Sequence, residues 1–207
     1  MSNSRGRQAV QNALSTKEII ERQATTVLSE KGYDAASVRE IAEASGVTKP
    51  VIYYYFKSKQ NLCHHLIDSG LEGFRRQLKA ICEEKCDDVF EQMVRAVQVH
   101  FDFCEGNTAF VRFIYALNFG PDRKKIDYDF YSYGMENLRI LTELMRCASE
   151  RGLIRRGKEE TAVYYLRGII STYVMLYVDG RGGLPPGLAR TIVTDMMNGL
   201  GPGGSGQ

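Results

Sequence analysis

Ser-Val-Arg-Glu-Ile-Ala-Glu-Ala-Ser-Gly-Val-Thr-Lys-Pro-Val-Ile-Tyr-Tyr-Tyr-Phe-Lys-Ser-Lys, residues 37–59 of a 207-residue chain, is the stretch that decides the fold. It reads as two short amphipathic helices on either side of a three-residue turn. Ser37 and Glu40 have the spacing of a capping box, in which each side chain serves the other's backbone N–H. Val38, Ile41 and Ala42 give the first helix an apolar face. Ser45, Gly46 and Val47 form the turn, where Gly46 tolerates a positive φ and Val47 points back inward. Thr48 is placed to cap the second helix, and Pro50 is acceptable in a first turn whose N–H groups have no intrahelical partner. The pattern is that of a helix-turn-helix, whose second helix enters the DNA major groove.

That second helix is short and aromatic. From Thr48 to Phe56 it spans roughly 13 Å at about 1.5 Å per residue, a match for a groove about 12 Å wide. Ile52 and Phe56, four apart, face the core, leaving Lys49, Tyr53 and Tyr54 outward. Lysine donates to phosphate or guanine; tyrosine offers a hydroxyl and a ring. The plainer reading, that Tyr53, Tyr54 and Tyr55 only fill a core, conflicts with geometry. Three successive side chains on a helix point about 100° apart and cannot all be buried on one face.

The run Ile41-Ala42-Glu43-Ala44-Ser45-Gly46-Val47-Thr48-Lys49, followed by Ile52-Tyr53-Tyr54-Tyr55-Phe56-Lys57-Ser58-Lys59-Gln60-Asn61-Leu62, resembles the signature of the tetracycline-repressor (TetR) family. The resemblance is strong over about residues 16–66 and beyond residue 80 extends only to length and helical character. It implies a dimeric transcriptional regulator, most often a repressor. By position it implies that Thr48, Lys49, Pro50, Tyr53, Tyr54 and Tyr55 line the groove or its walls, and that Ser37 and Lys59 meet phosphates. Position 50 is often Gly in the family, so Pro50 is a departure that bears on base preference.

Hydrophobic residues make up 43% of the chain, enough for a real core, and the net charge is only +2. Residues 1–62 carry nine Lys/Arg against six Asp/Glu, leaving the remainder at −1, so the basic excess sits with the helix-turn-helix. Five cysteines, at 63, 82, 86, 104 and 147, accompany an N-terminus without a secretory pattern. Free thiols in a reducing cytoplasm are the expectation, with no membrane span.

Turn residues divide the rest into helices, and the expected fold class is all-α. Residues 1–14, with Arg5 and Arg7, read as a flexible arm and 15–62 as a three-helix DNA-binding domain. Residues 63–199 read as a helical effector-binding and dimerisation domain, and 200–207 as a disordered tail. Thr16 opens a helix to about Lys31, and Gly32 falls where a C-terminal cap belongs. Ser58 caps a long helix to about Glu84, Asp87 or Asp88 the next to near Gly106, and Thr108 opens another to near Gly120. Further helices span about Asp127–Arg151, Glu159–Val178 and Pro186–Asn198.

Thr161–Val178 is apolar nearly all round, so it needs cover on two sides. The final helix carries a stripe with Ile192 and Met196. Two such helices from each of two chains would form an intermolecular bundle, with Ile169, Tyr173, Ile192 and Met196 at the homodimer interface. Between lies an aromatic-rich middle. Packing accounts for most of these rings; a ligand pocket with a few polar tips is the sharper reading. Its candidate lining is His100, Phe101, Phe110, Phe113, Tyr115, Tyr131 and Tyr165. The expected partners are double-stranded operator DNA, a small-molecule effector and a second copy of the chain, with no cofactor or metal. Cys82 and Cys86, four apart, keep open a thiol- or metal-responsive alternative. A helical enzyme is the other class, without a nucleophile elbow, phosphate loop or zinc-binding His pair to support it.

Overall fold

A computed structural model of the chain describes residues 14–85 and 87–199. The expectations for the arm at 1–13, for Cys86 and for the tail at 200–207 lie outside the described residues. The described chain is all-α: α1 (Thr16–Ala35), α2 (Val38–Ala44), α3 (Lys49–Phe56), α4 (Lys59–Glu83), α5 (Val89–Gly106), α6 (Thr108–Phe119), a 3-10 segment (Pro121–Lys125), α7 (Phe130–Glu150), α8 (Glu159–Val178) and α9 (Leu188–Asn198). No strand occurs among the described residues.

These residues form two compact units. The first contains the chain up to Ser69 together with Arg112–Tyr128. Its helices begin where side chains satisfy orphan N–H groups. Ser15 and Glu18 form a capping box at the start of α1, which the sequence reading passed over. The helix breaks at Gly32, whose φ of 77° suits glycine. α1 packs on α2, and α2 on α3. Ile20, Ala24, Leu28, Ile41, Ile52 and Leu62 close this core at 0–1% exposure. Fully burying one such side chain contributes about 1.5–3 kcal/mol before conformational entropy is counted. Residues 112–128 are held to this unit by a Lys125–Asp34 ion pair and by the Tyr128 hydroxyl, which donates to Asp68 Oδ1 at 3.0 Å.

The second unit contains Gly70–Val111 and the chain from Asp129 onward. α5 packs on α7, α8 and α9, and α8 also packs on α7 and α9. Met93, Ala96, Val97, Leu141, Met145, Leu166 and Val193 are fully buried among them. Gln92 ties the end of α4 to α5, its Nε2 donating to Ile81 O at 2.7 Å and Glu84 O at 2.9 Å. Those carbonyls have no intrahelical partner, so the amide serves as a C-terminal cap. Asp88 is the cap of α5, accepting from Glu91 N–H at 3.0 Å.

Candidate nucleic-acid interface and effector core

In the first unit the turn between α2 and α3 is a Schellman motif. Val47 N–H donates to Ala42 O at 3.0 Å and Gly46 N–H to Glu43 O at 3.2 Å, with Gly46 at φ 65°. This pairing fixes the angle at which α3 leaves α2. At the other end of α2, Glu40 N–H donates to Ser37 Oγ at 3.2 Å, and Ser37 N–H donates to Glu40 Oε2 at 2.8 Å. Lys31 adds an ion pair to the same carboxylate at 2.5 Å. Lys31 first and Ser37 second hold the Glu40 carboxyl down at about 2.

α3 is anchored through Ile52 and Phe56, 1% and 5% exposed. Phe56 lies 5.4 Å from the His65 ring, and His65 Nε2 pairs with Glu21 Oε1 at 2.7 Å. The opposite face of α3 is open: Tyr53, Tyr54 and Tyr55 are 46%, 81% and 40% exposed. Thr48, Lys49 and Pro50 are exposed beside them. Lys49 has no ion-pair partner among the described residues. Thr48 occupies the N-cap position without making the cap bond expected of its hydroxyl. The residue is exposed at that position, where water can take the place of the cap bond.

Two expected phosphate contacts are partly committed within the chain. The Ser37 hydroxyl donates to Glu40 Oε2 at 2.8 Å, leaving its N-cap role the better defended one. Lys59 Nζ approaches Asp34 O at 3.4 Å and sits 4.3 Å above the Tyr33 ring, tying the start of α4 to the end of α1. Ser58 caps α4, accepting from Asn61 N–H at 3.0 Å. Lys57, between α3 and α4, has φ 62°, a left-handed conformation uncommon for a non-glycine residue.

The expected pocket residues separate. In the second unit His100 is buried, its ring 4.8 Å from Phe74; Phe74 meets Phe103 at 5.1 Å, and Phe103 meets Phe110 at 6.0 Å. Phe101 is buried and approaches Tyr173 at 6.4 Å. Phe113, fully buried, and Tyr115, whose ring lies tilted at 5.7 Å from Phe119, fall in residues 112–128 of the first unit. Tyr131 and Tyr165 are 71% and 65% exposed, so the structure does not bring them into an aromatic interior. Tyr165 instead joins Ile169 and Met196 along a groove of 390 Å³. Of the expected dimer residues, Ile169 is exposed and Tyr173 and Met196 half-buried. Ile192 is buried in its own unit at 4% exposure, because the apolar stripe on α9 also faces α5 and α8.

Sequence reasoning counted Tyr133 only among the rings of the aromatic-rich middle, and missed Asn137 and Arg167. The Tyr133 hydroxyl donates to Leu71 O at 2.9 Å, and its ring lies 5.2 Å from the Arg75 guanidinium. Burial pushes its phenol pKa up. Asn137 is buried on the stripe that also carries Phe130, Leu141 and Leu144. A polar residue at that register was the available signal.

Burial pushes the Cys82 and Cys63 thiols up to about 12 and Cys104 to about 11. A thiol held so far above neutral pH is a poor nucleophile or metal ligand. Among the described residues no group of three or more His, Cys, Asp or Glu side chains is placed to hold a metal ion. Among the same residues no helix is long and apolar enough to cross a membrane.

Residues 19–66 match the family model for bacterial regulatory proteins, tetR family. The chain is 31% identical over 103 residues to the probable HTH-type transcriptional regulator YttP of Bacillus subtilis, covering 49% of this chain and 50% of that protein. It is 32% identical over 96 residues to the HTH-type transcriptional activator FasR of Mycolicibacterium smegmatis, covering 44% and 42%. It thus spans about half the length of the curated relatives it matches. The fold is similar to that of the TetR family transcriptional regulator PfmR from Thermus thermophilus, with a TM-score of 0.74 at 21% identity over 92% of this chain and all of that one. The open face of α3 lies within residues 19–66, the segment that matches the model for bacterial regulatory proteins of the tetR family, and the fold of the whole chain is similar to that of a regulator of that family.

Proposed function

We propose that the protein is a homodimeric, ligand-responsive regulator of transcription that binds a palindromic double-stranded operator and is released from it by a small, largely apolar or aromatic effector. The observation that supports this reading best is α3. Its inner face is locked by Ile52 and Phe56, while Lys49, Tyr53 and Tyr54 stand outward on a helix of major-groove length. Residues 15–62 are the DNA-binding module in this reading. Thr48, Lys49, Pro50, Tyr53, Tyr54 and Tyr55 read the groove, and Ser37 and Lys59 approach the backbone.

One short helix reads few base pairs, so two copies must act together. The exposed apolar side chains of Tyr164, Tyr165, Ile169 and Met175 on α8 provide a surface for a second copy. The aromatic core around His100 supports an effector with a ring or alkyl body. Effector and operator must weaken each other's binding by the same factor if they favour different conformations. Repression is the family's commoner mode; FasR, an activator by name, is the reminder that the sign is a separate question.

Selection from a random duplex pool tests the DNA reading. The expected product is an inverted repeat whose half-sites lie about 34–36 Å apart or a multiple of that distance. Enrichment of no sequence, or of one without a repeat, contradicts it.

A further inference from the structure

Among the described residues of the second unit, two buried side-chain atoms have no hydrogen-bond partner: His100 Nε2 and Asn137 Oδ1. Their residues are 6% and 5% exposed. Leaving such atoms unpaired is costly, and buried polar atoms are otherwise paired almost without exception.

The surrounding bonds fix the character of both atoms. His100 Nδ1 lies 2.7 Å from Ala96 O, and a carbonyl can only accept, so Nδ1 carries the proton. In the neutral ring Nε2 is then a bare lone pair. Protonating it is opposed by burial first and the Arg167 charge second, which hold the ring at about 3. The Tyr133 hydroxyl gives its proton to Leu71 O. Its hydrogen bond with the Asn137 side chain must therefore be received from the amide nitrogen, and Oδ1 is left as a second bare acceptor.

Both residues are tied to one turn of α4. The His100 ring packs on Phe74 at 4.8 Å, and Tyr133, one helical turn from Asn137, bonds to the carbonyl of Leu71, three residues before Phe74. Phe74 lies edge-on to His100, with Phe103 and Phe110 behind it. Phe110 sits where a Cβ on Gly70 would lie 2.3 Å from its ring, so the glycine makes room for this wall.

We infer that the effector site is built around His100 Nε2 and Asn137 Oδ1 and takes an uncharged molecule with an aromatic or aliphatic body and at least one hydroxyl or amide N–H. The inference rests on the effector reading above. A carboxylate would set its own lone pairs against both acceptors, leaving only the Arg167 charge to favour it. An ether or hydrocarbon would leave both unpaired. A donor satisfies what the fold leaves open.

Phenol, anisole and benzoate test this with one ring and three hydrogen-bonding characters. The full-length protein, labelled with 15N-histidine, is titrated with each. Phenol is expected to shift the His100 Nε2 resonance upfield, as when that nitrogen accepts a hydrogen bond, and to bind about tenfold tighter than anisole, the effect of one neutral hydrogen bond. His100→Phe and Asn137→Leu remove a bare acceptor rather than create one, and should bring the phenol-to-anisole ratio near one. Equal affinity for phenol and anisole, tighter binding of benzoate, or an unmoved Nε2 resonance with all three overturns the inference. An operator titration keeps the two failures apart. Release of operator by benzoate but not phenol overturns the donor assignment and leaves the regulator reading standing; absence of any operator binding contradicts the regulator reading itself.

Discussion

Ser37 and Glu40 close on each other twice, backbone N–H to side chain in each direction, at 3.2 Å and 2.8 Å. The pair starts α2 and so sets where the turn and α3 begin. Ser37→Ala removes the hydroxyl and should destabilise the protein by about 1 kcal/mol, read as a lower denaturation midpoint. Glu40 is held well below the ordinary carboxylate value, so its contribution is present above about 4.5 and is lost as pH falls toward about 2. In Glu40→Gln that part of the acid dependence should be absent; an unchanged acid profile would contradict the role given to the pair.

Lys57 turns the chain from α3 into α4 at φ 62°. Strain of this kind costs of order 1–3 kcal/mol, partly offset in a glycine variant by the freedom of its unfolded chain. Lys57→Gly should therefore raise stability by about 0.5–1 kcal/mol. A loss of that size in thermal unfolding would show that the lysine conformation is not strained.

His100 sets a pH dependence in the second unit. Its folded value of about 3 lies below the ordinary 6.5 of an unfolded histidine, so the unfolded chain binds the extra proton between them. Stability from this group is complete above 6.5 and falls with pH, by up to about 1.4 kcal/mol per unit, until about 3. His100→Phe should flatten that slope between about pH 6 and pH 4. An unchanged slope would place the titration elsewhere.

Ile169 is a large aliphatic side chain exposed on α8 beside Tyr165 and Met196. Ile169→Glu should yield a folded monomer with weakened operator binding, since a buried unpaired carboxylate opposes association. Sedimentation should show the native protein as a dimer. A native monomer, or an Ile169→Glu dimer of unchanged stability, would remove this face from the interface.

The helix-turn-helix was legible because each of its signals is local: Ser37 with Glu40, the positive φ of Gly46, and the four-residue spacing of Ile52 and Phe56. Helix existence and most ends followed from the same local chemistry. The membership of residues 112–128 in the first unit was not legible, because the Lys125–Asp34 and Tyr128–Asp68 contacts join positions 91 and 60 residues apart. Nor could a stripe on α9 say which of its members, Ile192 or Met196, its own unit would cover. Asn137 was hidden for a related reason: a polar residue on an amphipathic helix looks solvated until its neighbours are known. Only the bonds made by Leu71, Ala96 and Tyr133 show which acceptors remain bare.

The most direct test of the account is the affinity of the selected operator for the native protein and for Lys49→Ala and Tyr53→Ala, measured by fluorescence anisotropy at about 0.15 M salt, where exposed charges are screened beyond about 8 Å. Both side chains stand on the open face of α3 and neither supports its core. Each variant should unfold at the native temperature and bind about 5- to 100-fold more weakly, with relaxed sequence preference where a base edge is the contact. Native affinity in both variants would contradict the assignment of α3 as the helix that reads the operator.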